Sequence, residues 1–107
     1  MSRQRQRRIQ RQPIEETVRI AIADFIGDDG DIEVERHSYD WRSDDLLVWV
    51  RLHKPVDSSA LEAFRFEVAK QMRLVLPDGQ PFDDWLVVVE HRGQKLTSVA
   101  WDEEFES

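Results

Sequence analysis

Apolar residues recur with a period of two along four stretches of the chain and with a helical period along two others. The densest stretch is Trp85-Leu86-Val87-Val88-Val89, preceded by Asp83 and Asp84 and followed by Glu90. It is short for a helix and rich in β-branched residues, so it predicts a strand over about 84–91. Trp85, Val87 and Val89 then point to one face, and Leu86 and Val88 to the other. A strand apolar on both sides belongs inside a sheet whose two faces are both at least partly covered. Which of its faces meets the helices is open at this point.

Ile32 and Val34 alternate with Glu33 and Glu35 and begin a strand that reaches Tyr39 or Trp41. Arg42 to Asp45 is a polar break of hairpin length, and the return strand follows. Leu46, Val48, Val50 and Leu52 form one face of that strand, while Leu47 and Trp49 carry apolar character onto the other. Pro55 lacks the donor that a ladder needs and ends it. After a tight turn at His91-Arg92-Gly93-Gln94, Lys95 to Trp101 makes the last strand.

The helical period first appears at Ile14, Val18, Ala21, Ile22, Phe25 and Ile26. Pro13 suits the first turn, Glu15 and Glu16 complement the helix dipole, and Gly27 stands at the C′ position. These place a helix over about 14–26, although Val18, Ile20 and Ile22 also alternate as a strand would. The second helix carries a single stripe of Leu61, Phe64, Val68, Met72 and Val75. Ser59 and Glu62 have capping-box spacing, with Asp57 and Ser58 as alternative N-caps. The helix ends before the turn Leu76-Pro77-Asp78-Gly79. Its length of about 27 Å matches the roughly 26 Å of an eight-residue strand, so it can lie along the sheet.

The resulting order is αββαββ. Short polar links favour hairpins, so the expected fold is an α+β two-layer sandwich. It has a mostly antiparallel four-stranded sheet with two helices on one face. Asp-Leu-Leu-Val-Trp-Val at 45–50 resembles Asp-Trp-Leu-Val-Val-Val at 84–89. The first closes its hairpin and the second opens its own, so the likeness is not read as a duplication.

Composition refines this picture. A chain of 107 residues makes one domain,, here residues 13–101 between a basic arm, 1–12, and an acidic tail, 102–107, expected to fray. The absence of cysteine excludes disulfides, thiolate metal sites and cysteine nucleophiles and fits a cytoplasmic setting,. No apolar run approaches the roughly 20 residues needed to span a bilayer. Five of the 15 basic residues, Arg3, Arg5, Arg7, Arg8 and Arg11, fall in the arm, which has no acid. The remaining ten bases stand against 22 acids. The arm has one apolar residue, Ile9, and is expected to be disordered in isolation. A body this acidic repels polyanions, so the arm alone is a candidate for contact with nucleic acid.

Candidate chemistry is sparse. His37, His53 and His91 are far apart in sequence and predicted near strand ends. No serine lies in a nucleophile elbow, and Ser58 and Ser59 are explained by capping. The acid pairs Asp28/Asp29, Asp44/Asp45 and Asp83/Asp84 flank strands or turns, where neighbours point to opposite faces and make poor acid–base dyads. Asp28-Asp29-Gly30-Asp31 lacks the spacing of a calcium loop, and Gly27-Asp28-Asp29-Gly30 places acids where a phosphate backbone would pass. Singly placed glycines form neither a P-loop nor a dinucleotide fingerprint. The sequence therefore predicts no catalytic residue, cofactor or metal, and no enzyme.

What remains is apolar surface beyond the needs of one core. Leu47, Trp49, Phe66, Leu86 and Val88, with Val99 or Trp101, lie where two helices on one side would not cover them. The expected function is a non-enzymatic protein-interaction module, either self-associating, most simply as a homodimer, or a small adaptor subunit of a larger assembly. The alternative is a nucleic-acid or ribosome-associated factor acting through the arginines of the arm.

Overall fold

A computed structural model describes residues 13–39, 43–77 and 82–105. In chain order the elements are α1 (Ile14–Ile26), β1 (Gly30–Tyr39), β2 (Ser43–Leu52), α2 (Ser58–Val75), β3 (Asp84–His91) and β4 (Gln94–Ala100). One 3-10 turn, Gly27–Asp29, joins α1 to β1. The residues between β1 and β2, 40–42, and the Asp78-Gly79 part of the Pro-Asp-Gly turn lie outside the described residues.

The four strands form one mixed sheet in the order β1-β2-β3-β4. The two outer pairings, β1 with β2 and β3 with β4, are antiparallel as expected. The central pairing, β2 with β3, is parallel, so the sheet expected to be mostly antiparallel is mixed. The reason is α2. Its 18 residues carry the chain back along the sheet, so β3 starts beside the start of β2 and runs the same way,. Asp45 pairs with Asp84 and Val50 with Val89, so the parallel register aligns the two similar sequences residue for residue.

Burial separates the two faces of the sheet. Leu46, Val48, Val50 and Leu52 of β2, Trp85, Val87 and Val89 of β3, and Val99 of β4 join Val18, Ile22 and Ile26 of α1 and Val68, Ala69 and Met72 of α2 in one core. Val99 is thus a core residue opposite Val87, not part of the other face. α1 lies against β1 and α2, and α2 against β4. Phe25 and Phe64 join the helices with their rings 5.7 Å apart. No helix among the described residues is long and apolar enough to cross a membrane.

Local chemistry explains the joints. Arg92 and Gly93, at φ 53° and 78°, form the two-residue turn between β3 and β4, whose twist calls for positive φ at both positions,. At Gly30 a Cβ would lie 2.7 Å from the carbonyl oxygen of Arg51, so only glycine lets β1 start this close to β2. The predicted capping box at Ser59 does not form. Asp57 is the N-cap and Ser59 Oγ donates instead to its carboxylate at 3.1 Å. Residues 102–105, expected to fray, lie on α2. Arg65 pairs with Glu103, Arg73 donates to the Glu103 carbonyl at 2.6 Å, and the Phe105 ring meets Phe66 edge-on at 5.8 Å.

Candidate interaction face

The face of the sheet turned away from the helices is built in rows across the strands. In the first row His37, Asp45 and Asp84 stand side by side. Glu35, Leu47, Leu86 and Ala100 form the second, and Glu33, Trp49, Val88 and Ser98 the third. The fourth is Asp31, Arg51, Glu90 and Lys95. Four of the five residues predicted to form an interface, Leu47, Trp49, Leu86 and Val88, are therefore one patch at the middle of this face. Strand alternation alone brings Leu47 beside Leu86 and Trp49 beside Val88.

The fifth predicted residue, Phe66, is elsewhere. It lies on the outer side of α2, with its ring against Phe105, and stays 46% exposed. The tail covers apolar surface here, on the helix and not on the sheet. The arginines Arg3, Arg5, Arg7, Arg8 and Arg11 lie outside the described residues.

Within the patch, Leu86 is 37% exposed, Leu47 and Trp49 are half-buried, and Val88 is only 9% exposed. Val88 is buried without belonging to the core on the helix side. Its position on a central strand, with Trp49 and Ser98 as cross-strand neighbours, accounts for that shelter,. The fourth row closes one rim. Arg51 pairs with Glu33 and, at 2.9 Å, with Glu90, and its guanidinium sits 5.6 Å from the centre of the Trp49 ring. Such a contact fixes the indole at the edge of the patch.

The opposite rim is acidic and concave. A shallow cleft of about 340 Å³ has Leu47, Trp85 and Leu86 in its floor and Glu35, His37, Asp45 and Asp84 around it. Neighbouring acids on one strand are expected to diverge. They do diverge, but the parallel register sets Asp45 of one pair beside Asp84 of the other. Burial and the charges of Asp45, Asp102 and Asp83 raise the Asp84 carboxyl above its ordinary value. No cation pairs with Asp45 or Asp84 among the described residues. Their backbones lock the same corner, because the Asp83 amide donates to the Asp44 carbonyl and the Asp44 amide to the Asp83 carboxylate, each at 2.8 Å.

The histidines do not converge. His37 meets Glu35 at 3.1 Å, His53 meets Asp31 at 3.1 Å, and His91 Nδ1 donates to the Leu52 carbonyl at 3.0 Å. Among the described residues no three potential metal ligands cluster. A second groove, of about 510 Å³, opens between the end of α1 and the start of α2, where Phe25, Ile26, Val56 and Phe64 line it with Asp29 and Lys54 at its mouth. No family model, curated protein or solved structure matches the chain.

Proposed function

We propose that this protein is an interaction module that docks protein through the open face of its sheet, in the first place a second copy of itself. The observation that carries this reading is the patch of Leu47, Trp49, Leu86 and Val88 with charged rims on both sides. A helix layer covers the other face, and nothing among the described residues covers this one. Contiguous apolar surface with an aromatic centre and a charged edge is the usual anatomy of a specific contact. A face presented by one surface to an identical surface closes as a two-fold dimer. A standard interface would bury about 800 Å² per partner, so the rims would take part along with the patch.

Light scattering after size exclusion, at tens of micromolar, tests the proposal on three proteins. The wild type is expected to run as a dimer. Leu86→Asp places a charge on the open face and is expected to give a folded monomer. Val87→Asp places it in the core, where Val87 is fully buried, and is expected to unfold the chain,. A monomeric wild type would remove self-association and leave a different protein as the partner.

The nucleic-acid reading is less favoured for a structural reason. The first turn of α1, where the arm joins, is tied through Glu15 and Arg36 to Asp44 and so to the acidic corner of the sheet. A polyanion held by the arm would lie beside that corner. A full-length protein that shifts no RNA or DNA at low salt would dispose of this reading.

A further inference from the structure

We infer that the basic arm, residues 1–12, docks in cis on the acidic cleft at the end of the open sheet face and occupies part of the surface that a partner needs. The inference rests on the docking reading for its consequence, but the contact has its own grounds. They are where the arm begins, what it carries and what the cleft presents.

The arm begins at the right place. Glu15, one turn or less from Pro13, accepts from Arg36 of β1 at 3.2 Å. Arg36 Nε donates to Asp44 of β2 at 2.8 Å, and the Asp44 amide donates to Asp83 beside the start of β3. The start of α1, the end of β1 and the starts of β2 and β3 therefore meet at one end of the sheet. This is the end that holds the cleft. Twelve extended residues reach at most about 40 Å, several times the 10 Å or so between packed layers, so the arm can pass round the sheet end to the open face.

Charge and shape also match. Arg3, Arg5, Arg7, Arg8 and Arg11 come with no acid among them, and Ile9 stands inside the series. The cleft offers three carboxylates, Asp45, Asp84 and Glu35, and one imidazole, His37, above an apolar floor of Leu47, Trp85 and Leu86. Bases already at this corner are engaged: Arg36 by Asp44 and Glu15, and His37 by Glu35. Among the described residues Asp45 and Asp84 stand side by side without a cation, and burial, followed by the Asp45 charge, raises the Asp84 carboxyl. Guanidinium groups suit such a site because each fork can take a carboxylate in two bonds.

The consequence is competition. Leu47 and Leu86 belong both to the cleft and to the patch, so a partner must displace the arm to reach them. An arm bound nine-tenths of the time would weaken apparent self-association about a hundredfold, because both copies must be free of it, and association with a different protein about tenfold.

The test compares the full-length wild type with a full-length variant in which Arg3, Arg5, Arg7, Arg8 and Arg11 are all serine. Amide chemical shifts are recorded at low salt over a range of protein concentrations, together with the dimer dissociation constant. The expected result is a set of differences confined to residues 45–47 and 84–86. They should not depend on protein concentration, and they should fade near 1 M salt, where the Debye length falls to about 3 Å. The Asp84 carboxyl should titrate lower in the wild type than in the variant, and the variant should associate more tightly. Differences elsewhere on the body, or none, would overturn the inference. Differences that grow with concentration would overturn the cis contact and give the arm to a second copy. If Leu86→Asp still abolishes association while the arm variant shows no shifts, the docking face stands and only this inference falls. If the shifts are found but Leu86→Asp leaves the mass unchanged, the contact stands and its competitive role falls with the docking reading.

Discussion

Single side chains in this protein are constrained most where two backbones come close or where a charge has one partner. Gly30 is the first case. A Cβ there meets backbone, which cannot swing aside as the end of a flexible side chain can. Gly30→Ala should therefore cost about 1–3 kcal/mol, the usual range for forced overpacking, read as a lower denaturant midpoint. His53 is the second case. Its hydrogen bond to Asp31, and then the Asp31 charge, raise its pKa above the ordinary imidazole value. The folded-state pKa is thus above the unfolded one. The contribution is fully present below the unfolded pKa and is lost as pH rises through the folded one. Both side chains are exposed, so the effect belongs to titration more than to stability,. Proton NMR should find His53 titrating at a lower pH in Asp31→Asn than in the wild type. An unchanged titration would mean that the pair does not persist in solution.

At the scale of elements, α2 does two jobs on two sides. Its inner side buries Val68, Ala69 and Met72, and its outer side holds the tail. Met72→Ala should cost 2–5 kcal/mol, roughly the range for a buried Met, whereas exposed Lys70→Ala should be near neutral,. Similar losses from both would place the helix in a different phase. On the outer side, Phe105 packs on Phe66 and lies under Arg65 and Arg73 at 5.5 and 5.8 Å. A double-mutant cycle of Phe66→Ala and Phe105→Ala should give a coupling of about 1 kcal/mol, as edge-on aromatic pairs do. A coupling near zero would detach the tail.

The elements themselves were legible from periodicity. Helical bounds at Ile14–Ile26 and Val75 and the strand at Asp84–His91 follow directly from where apolar spacing begins and ends. The parallel central pair was not read, although two signals for it were present. A helix as long as the strands returns the chain to its starting edge, and two matching strand sequences suit a parallel register. The short polar links within each half pointed only to hairpins, and no local pattern sets how the two halves join. The acidic cleft was lost with that pairing, because Asp45 and Asp84 become neighbours only when β2 and β3 run together. The docking of the tail rests on Glu103 and Phe105 together, and one aromatic in an acidic run carries no period.

For the whole molecule, the decisive quantity is the state of the open face. Val88 is sheltered even in the isolated chain, so a charge there would disturb the strand as well as any contact. Leu86, more than a third exposed on the same strand, is the cleaner probe. Its side chain points away from the core that Trp85 and Val87 fill, so its replacement by Asp leaves folding intact and alters only what meets the face. Self-association then has a thermodynamic signature independent of mass. A dimer that unfolds to two separate chains gains about 1.4 kcal/mol of apparent stability for each tenfold rise in concentration. The denaturant midpoint of the wild type should climb with concentration by that energy divided by the m-value, and the midpoint of Leu86→Asp should stay fixed. The two curves should converge on dilution, since the monomer cores are the same. A wild-type midpoint that does not move between low and high micromolar concentration would show that the open face meets no second copy under these conditions. The patch would then be a surface for a different protein.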